Sequence, residues 1–315
     1  MVNVASLAIR AKALADIRSF FAGRRVLEVE TPILGRGGNT DPHIDSFSTG
    51  LMPSHGQGGW LYLQTSPEFA MKRLIAAGSG SIYQICKAFR DGDVGSYHNP
   101  EFTMLEWYRV GYNYHELMVE VDALVMMLLN TPPAQKMTYA EAFERYLSLA
   151  VLEADVGTLK AKAEQQGIRD IVGMDNAPLD AWRDLLLTHA VAPYLGVTQP
   201  TFVYDYPASQ AALACIRDDD IAIAERFELY INGIEIANGY QELSGRQVHL
   251  ARFLAESHIR KKNNQDVIVF DEKFLQEVEE LPFCAGVALG LDRLLMVMGG
   301  KNRLADVLAI PLEYL

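Results

Sequence analysis

The chain has 315 residues, of which 50% are hydrophobic and 22% are charged, and its formal net charge at pH 7 is −12. This composition is sufficient for a large buried core and excludes an intrinsically disordered chain. The acidic balance argues against a broad nonspecific nucleic-acid surface, because binding to phosphates requires clustered Lys and Arg.

The sequence shows no membrane span, no signal peptide and no cysteine spacing typical of disulfides. No apolar run approaches the roughly 20 residues of a membrane span, and the N-terminus lacks the basic and apolar regions of a signal peptide. We therefore expect a cytoplasmic protein with no membrane partner. The three cysteines, Cys86, Cys215 and Cys284, are far apart, which favours reduced structural thiols over disulfides or a zinc site.

Hydrophobic periodicity predicts the secondary structure in chain order. The N-terminal apolar residues recur at helical spacing after Ser6, a predicted N-cap, and stop at Gly23. Strand-like patterns follow at residues 26–32, 60–65, 81–89, 102–110, 201–206, 225–236 and 286–290, and helices are predicted at 67–77 and from about Asp292. Many neighbouring strands with few helical crossovers predict an α+β fold, a mixed, mostly antiparallel sheet flanked by helices.

Residues 138–196 differ in character from the rest of the chain. They follow helical patterns, contain few strand signals, and begin with Thr138 and Glu141 at the spacing of a capping box. We interpret this segment as a helical subdomain inserted into a single catalytic domain that covers residues 1–315.

A first group of polar residues flanks a loop between two predicted strands. Arg90, Phe102 and Glu106 are expected on the interior face of this hairpin. A buried arginine requires an anionic partner. Two interpretations remain open, an internal ion pair with Glu106 and the binding of an anionic ligand.

A second group lies in an otherwise apolar stretch. Strand alternation points several of the side chains of Glu228, Glu235, Asn238 and Glu242 at one cavity. Carboxylates repel one another unless a cation lies among them, so a divalent metal and a cationic substrate are the two natural ligands. The alternative is simple surface charge.

A third group is a strand of small residues, 286–290, that runs into a helix containing Arg293. Small residues let a flat ring approach the backbone, and an arginine near a helix start can contact a phosphate. Tight packing of the strand explains the same pattern equally well.

Together these groups resemble the three signature motifs of class II aminoacyl-tRNA synthetases, and specifically those of lysyl-tRNA synthetase. In the order of the motifs, the matching segments are residues 23–34, 89–102 and 286–293. Residues 235–243 resemble the family's lysine-binding stretch, and residues 66–68 resemble a second substrate-facing segment.

The resemblance implies a class II fold, ATP and Mg²⁺ as cofactors, and a homodimer formed through the first motif. It implies catalytic roles for Arg90 and Arg293 at the phosphates of ATP. The implied nucleotide-binding residues are Arg90, His98, Asn99, Phe102, Glu228, Glu235, Gly290 and Arg293, with Glu228 and Glu235 as metal ligands. The implied amino-acid-binding residues are Ser66, Glu68, Glu106, Tyr108, Asn238, Tyr240, Glu242 and Ala288.

The sequence departs from the synthetase pattern at two positions. The second motif usually has a glutamate where this chain has Gly92, followed by Asp93, which puts one adenine-side contact in doubt. The third motif usually has a glycine where this chain has Ala288, and the extra methyl group is expected to influence which lysine isomer fits.

The chain begins directly at the first catalytic helix, so we expect no anticodon-binding domain and no tRNA partner. This truncation, with residues 37–43 and Ala288, resembles the bacterial elongation factor P (R)-β-lysine ligase family. The resemblance implies ATP-dependent activation of (R)-β-lysine or lysine as an aminoacyl adenylate. It also implies transfer of the aminoacyl group to a lysine side chain of elongation factor P.

Three alternatives to this function remain open. One is a lysyl-tRNA synthetase-like enzyme with another acceptor. Another is an asparagine synthetase-like ligase, although its acidic substrate would be repelled by Glu68, Glu106 and Glu242. The last is a non-catalytic regulatory paralogue, which usually lacks phosphate-binding arginines such as Arg90 and Arg293.

Overall fold

The computed structural model of the chain describes residues 4–51, 59–169, 171–174 and 176–314. The strands are β1 (Leu27–Glu28), β2 (Leu34–Gly35), β3 (Ser48–Leu51), β4 (Gly59–Leu63), β5 (Ile82–Phe89), β6 (Glu101–Val110), β7 (Gln135–Thr138), β8 (Thr201–Pro207), β9 (Ile216–Arg217), β10 (Ile223–Ile231), β11 (Ile234–Gln241) and β12 (Cys284–Gly290). The α-helices are α1 (Val4–Gly23), α2 (Glu68–Ala76), α3 (Tyr114–Leu129), α4 (Tyr139–Leu147), α5 (Val156–Gln165), α6 (Leu179–Leu186), α7 (Arg246–Lys262), α8 (Glu272–Glu277) and α9 (Leu291–Met298). Shorter helical turns cover Leu187–Val191, Ala192–Tyr194, Ala208–Gln210, Val278–Glu280, Leu304–Asp306 and Leu312–Tyr314.

The chain divides into two compact units. The first comprises Met1–Asn113 and Glu242–Leu315, and the second comprises Tyr114–Gln241. In the first unit the strands β1, β5, β6 and β12 are neighbours in that order, and only the β1–β5 pair is parallel. A separate small antiparallel sheet has the order β2, β4, β3.

In the second unit the strand order is β11, β10, β8, β7, with β9 paired to β10, and only β7 and β8 pair in parallel. Pairing in both units is therefore mostly antiparallel, and helices accompany the strands of each. The predicted α+β fold class is confirmed.

Helix α1 packs an aromatic side chain against the sheet of the first unit. Phe21 stacks on Tyr83 of β5 with 4.3 Å between ring centroids and contacts Trp107 of β6 edge-on at 5.3 Å. Such aromatic pairs add about 0.5–1.5 kcal/mol beyond their buried area. The predicted N-cap was wrong, because Ser6 lies inside α1 and its hydroxyl donates to the carbonyl of Asp306.

The first-motif segment forms less regular structure than its pattern predicted. Only Leu27–Glu28 pairs as β1, and the chain turns at Pro32 before β2. Proline cannot donate a ladder hydrogen bond, so it ends strand pairing. Thr31, just before the turn, donates instead to the side chain of Gln84 at 3.0 Å.

The helices α4, α5 and α6 lie in the segment predicted to be helical, and its capping box is present. The Thr138 hydroxyl accepts from the Glu141 amide at 3.1 Å, and the Thr138 amide donates to the Glu141 carboxylate at 2.7 Å. The compact second unit also includes α3 and strands β7 to β11. The boundaries 138–196 remain a prediction, and residues 170 and 175 of that range lie outside the described residues.

One predicted strand, residues 225–236, is instead a hairpin of β10 and β11. Its two-residue turn is Asn232-Gly233, with φ values of 51° and 75°. Both residues adopt the left-handed conformation that a type I′ turn requires, and Asn-Gly is its strongest sequence signal. The turn brings the polar residues of the two strands opposite one another.

None of the helices in the described part of the chain is long and apolar enough to cross a membrane. None of the three cysteines forms a disulfide, and Cys284 is fully buried while Cys86 and Cys215 are partly buried. Burial and the neighbouring Glu106 raise the pKa of Cys86 to about 12, so this thiol is a poor nucleophile at neutral pH.

Candidate active site

The hairpin of β5 and β6 carries a cationic and aromatic pair beside its loop. Arg90 follows the last residue of β5, and its guanidinium carbon lies 5.1 Å from the ring centroid of Phe102 on β6. Arg90 closes the loop by donating its backbone amide to Pro100 at 2.9 Å. Its buried Nε has no hydrogen-bond partner among the described residues, so it can donate to an anion.

The loop of this hairpin is held by an arginine from α9. Arg293 donates Nε to the Tyr97 carbonyl at 3.1 Å, and its terminal nitrogen lies 2.7 Å from Nε2 of His98. Partial desolvation and the positive charge of Arg293 lower the pKa of His98, so the imidazole is neutral at pH 7 and accepts this hydrogen bond. At the base of the loop, Asn99 donates to the Glu101 carbonyl at 2.6 Å.

A buried carboxylate ties these two segments together. Asp292 accepts the backbone amide of Thr103 at 2.6 Å and forms an ion pair with Arg10 of α1. Asp292 precedes Arg293, and Thr103 follows Phe102, so one side chain fixes the backbones that carry both. Nearby Gly290 lies beside Arg293, and a β-carbon at this position would make ordinary van der Waals contact with that side chain at 3.6 Å.

Farther along β6, Glu106 is held in a fixed orientation inside the first unit. It accepts from the Ser66 hydroxyl at 2.7 Å and from the Tyr108 hydroxyl at 2.6 Å. The ion pair with Arg90 that the sequence left open is not formed. Burial raises the pKa of Glu106 to about 7, and the carboxylate of Glu68 adds to this effect.

A fully buried lysine joins the other two acidic residues of the first unit. The Lys72 ammonium lies 2.6 Å from a carboxylate oxygen of Glu68 and 2.5 Å from one of Glu242. Although burial acts to lower it, these two carboxylates raise the pKa of Lys72. Burial raises the pKa of Glu242, and the Lys72 charge opposes this shift. We call Glu68, Lys72, Glu106 and Glu242 the acidic pocket.

Strand β12 lines the acidic pocket with small residues. In the β6–β12 pairing, Ala288 is directly opposite Glu106 and Gly286 is opposite Tyr108, so each pair shares a face of the sheet. A β-carbon on Gly286 would overlap the carboxylate of Glu242 and the ring of Tyr108. Glycine is required at this position to leave room for both side chains.

The predicted polar residues of the second unit lie together on the β10–β11 hairpin. Glu228 is opposite Asn238, Tyr230 is opposite Glu235, and Tyr240 is opposite another polar residue, Arg226. Glu228 accepts hydrogen bonds from Arg226 and from Tyr230, and the charge of Glu235 contributes to its raised pKa, after the larger effect of burial. Arg226 also donates to Asn238 at 3.2 Å.

The second-motif departure at Gly92 has a conformational explanation. Gly92 adopts a φ of 81°, a region that is strained for a glutamate or any other L-residue, although the space around it is open. The loop therefore follows a path that favours glycine at this position. The neighbouring Asp93 acts on His98, since its charge raises the pKa of that imidazole against the stronger lowering effects.

Sequence reasoning missed three residues of the site, Lys72, Gly286 and Asp292. Lys72 stands four residues after Glu68, which is the spacing of an ion pair on one helix face, and this signal was available. Gly286 and Asp292 lie within the third motif, but their contacts with Glu242 and Thr103 join residues far apart in the chain.

Comparison with known proteins identifies the class. Residues 2–313 match the family described as tRNA synthetases class II (D, K and N). The chain belongs to this class II synthetase family, in agreement with its mostly antiparallel sheets and its motif arginines. Ligases of this type use ATP, generally with Mg²⁺.

Individual relatives narrow the comparison within the class. The chain is 47% identical to a protein of Pseudoalteromonas translucida over 98% of this chain and 95% of the relative. It is 46% identical to one of Vibrio cholerae over 98% and 96%, and 44% identical to one of Salmonella arizonae over 99% and 96%. All three are named "Elongation factor P–(R)-β-lysine ligase". The chain is thus an ATP-dependent ligase.

The acidic residues of β10 and β11 fit a magnesium ion only in part. Within the described ranges, no group of three or more His, Cys, Asp or Glu side chains is arranged to hold a metal ion. Mg²⁺ is usually held by one or two carboxylates, with substrate phosphates and water completing its octahedron. Glu228 and Glu235 could supply these one or two carboxylates, because they are close enough for their charges to interact. The remaining ligands would come from phosphates and water.

The steric role of Gly286 can be tested by stability. Gly286→Ala is expected to destabilise the protein by about 1–3 kcal/mol, because the methyl group displaces Glu242 and Tyr108 in a packed site. Gly50→Ala is the matched control, since a β-carbon there meets no atom within 4 Å. Thermal and urea denaturation measure both variants. Equal stabilities of the two would contradict the packing argument.

Proposed function

We propose that this protein activates (R)-β-lysine or lysine with ATP as an aminoacyl adenylate and transfers it to a lysine side chain of elongation factor P. The observation that carries the amino-acid part is the acidic pocket, whose Glu106 lies on β6, the strand that also bears Phe102. Three neighbouring carboxyl groups attract a substrate with ammonium groups and repel an acidic one.

In the acidic pocket, Glu68, Glu106 and Glu242 face the ammonium groups of the substrate. The hydroxyls of Ser66 and Tyr108 already donate to Glu106, which fixes the direction in which that carboxylate accepts further hydrogen bonds. An asparagine synthetase-like ligase is disfavoured, because the side-chain carboxylate of its substrate would lie among these acids.

The nucleotide is assigned to the residues around the second and third motifs. Phe102 stacks on adenine with Arg293 across the other face, Arg90 contacts the α-phosphate, and Arg293 contacts the γ-phosphate. His98 and Asn99 shape the loop over the nucleotide, and Gly290 lies beside Arg293. The short distances of Arg293 to His98 and Tyr97 support a joint role for the loop and α9.

The second-unit residues keep the roles that the family resemblance implies. Glu228 and Glu235 hold Mg²⁺, which neutralises phosphate charge when bound, while Asn238 and Tyr240 contact the substrate. Their common face on the β10–β11 hairpin supports this assignment. The retained Glu228, Glu235 and Arg293 also argue against a regulatory paralogue that has lost ATP binding.

The reaction proceeds in two steps. An oxygen of the substrate carboxylate attacks the α-phosphorus of ATP, the bond to the β-phosphate breaks, and pyrophosphate leaves. The nucleophile is already ionised, so this chain needs no general base for the step. Arg90 stabilises the charge that develops at the α-phosphate, and loss of one such donor typically costs about 100- to 1,000-fold in rate. The acceptor amine then attacks the carbonyl carbon, and AMP leaves as the amide forms.

The acceptor is proposed from the names of the relatives. The (R)-β-lysine ligases of Pseudoalteromonas, Vibrio and Salmonella are named for elongation factor P and align with nearly the whole chain. We further propose a homodimer formed through residues 23–34, action in the cytoplasm, and no tRNA substrate. A lysyl-tRNA synthetase-like reaction with another acceptor is the second candidate.

Pyrophosphate exchange tests the first step. ATP/pyrophosphate exchange should depend on α-lysine or (R)-β-lysine and not on aspartate. Labelled amino acid should then appear on elongation factor P, but not on a variant whose acceptor lysine is replaced, nor on tRNA. Exchange that depends on aspartate would replace the proposal with the asparagine synthetase-like alternative. Labelled tRNA would favour the second candidate.

Arg293→Ala should fold but lose adenylate formation. Its contacts with a loop carbonyl and His98 are exposed, so their loss should cost little stability while removing the charge at the nucleotide. We expect a fall of about 100-fold or more in exchange rate. Arg303→Ala, an exposed arginine that pairs only with Glu313 among the described ion pairs, is the control. Exchange near the wild-type rate would remove Arg293 from the site.

Ala288→Gly should raise activity with α-lysine relative to β-lysine. Ala288 is opposite Glu106, so its methyl group occupies pocket volume, and a single methyl discriminates by about 1–3 kcal/mol, or roughly 10- to 200-fold. The measurement is the ratio of kcat/KM for the two isomers. Ala285→Gly on the same strand is the control, since Ala285 is opposite Arg109 rather than Glu106. An unchanged ratio would mean that Ala288 only packs the strand.

A further inference from the structure

Lys72 is the one side chain in the acidic pocket whose charge matches that of the expected substrate. It is fully buried on α2, and its ammonium lies between carboxylate oxygens of Glu68 and Glu242, at 2.6 Å and 2.5 Å. A buried ammonium requires paired carboxylates to remain charged. The two carboxylates are therefore shared between an internal cation and any cation that enters from solvent.

The charges of the pocket can be counted directly. Glu68, Glu106 and Glu242 contribute three negative charges when ionised, and Lys72 contributes one positive charge, which leaves two negative charges. Lysine and β-lysine each carry two ammonium groups at neutral pH. The pocket with Lys72 thus matches the two cationic groups of the substrate while all three carboxylates stay available to accept hydrogen bonds.

We propose that Lys72 is a positioning residue whose ammonium holds the carboxyl groups of Glu68 and Glu242 in place and keeps Glu242 able to bind a diamino acid. The inference rests on the proposed activation of lysine or β-lysine. Lys72 would act through the carboxyl groups of Glu68 and Glu242, without contacting the reacting atoms.

The other titratable groups near Lys72 support this role. Tyr108 on β6 donates to Glu106, and burial raises its pKa well above the usual value, so it stays neutral. His249 on α7 is buried, and burial together with the Lys72 charge lowers its pKa to about 4, so it too is neutral at pH 7. Neither group replaces the charge of Lys72.

Removing the charge of Lys72 should change the pH dependence of substrate binding. Lys72→Met keeps the length and apolar stem of the side chain. Without the ammonium, the pKa of Glu242 rises, by about 1–3 units for loss of an adjacent opposite charge. Glu242 is then more fully protonated at pH 7 than in wild type, so KM for lysine should rise about tenfold or more, and the pH midpoint of KM should move upward.

The same variant should also change the pH dependence of stability. An acid whose pKa is raised in the folded state loses stability as pH increases toward that pKa, so Tm of Lys72→Met should fall more steeply from pH 6 to 9 than Tm of wild type. Arg183→Met is the matched control, because Arg183 is a buried cation paired with Asp180 in the second unit. It should lower Tm without moving the pH midpoint of KM.

Chemical rescue provides an independent test. Lys72→Ala opens a space between Glu68 and Glu242 that n-propylammonium can fill. The added cation should raise both Tm and lysine-dependent exchange, whereas the neutral analogue n-propanol should raise neither. Rescue by both compounds alike, or by neither, would overturn the proposal, as would an unchanged pH midpoint in Lys72→Met.

The failure of the two proposals can be distinguished. Wild-type protein without lysine-dependent exchange would refute the proposed function, while the pH slope of Tm and its rescue by propylammonium would still report on Lys72. If wild type is active and Lys72→Met loses activity equally at every pH, Lys72 has only a structural role. If Lys72→Met does not fold, rescue of Lys72→Ala decides the question.

Discussion

Placing three carboxyl groups close together, with Glu106 and Glu242 buried and Glu68 partly buried, is the constraint on which this site depends. Ionised carboxylates in a desolvated space repel one another and lose hydration, so each requires a donor or a cation. Here Ser66 and Tyr108 donate to Glu106, and Lys72 bridges Glu68 and Glu242. The result is a group of acidic side chains whose positions are fixed by these donors.

The backbone around the pocket follows from the same requirement. Strand β12 approaches β6 with glycine at position 286, because any β-carbon there would occupy the space of the Glu242 carboxylate. At the other end of this strand pair, Asp292 holds the amide of Thr103, which places Phe102 and Arg293 on connected segments. The residues that we propose for the nucleotide and for the amino acid are thus linked through the β6–β12 pair and the segments beside it.

In the proposed function, a synthetase core serves a different acceptor. We assign amino-acid recognition to the acidic pocket and the methyl group of Ala288, and adenylate formation to Arg90 and Arg293. These residues lie in the motifs that the family shares, so the activating chemistry can stay constant while the acceptor changes. The names of the relatives fit such a change of acceptor from nucleic acid to protein.

The sequence by itself determined the fold class and the candidate site residues, because motifs such as 89–102 and 286–293 are local and keep their spacing, while the roles of those residues stay a prediction. The prediction from sequence was wrong at the Asn232-Gly233 turn. Strand-forming residues continue on both sides of the turn, so the hairpin was predicted as a single strand. Only the tertiary structure decided which side chains donate hydrogen bonds to Glu106 and where the Lys72 ammonium lies. These contacts depend on burial and join residues that are distant in the chain, so the spacing of residues within a motif does not predict them.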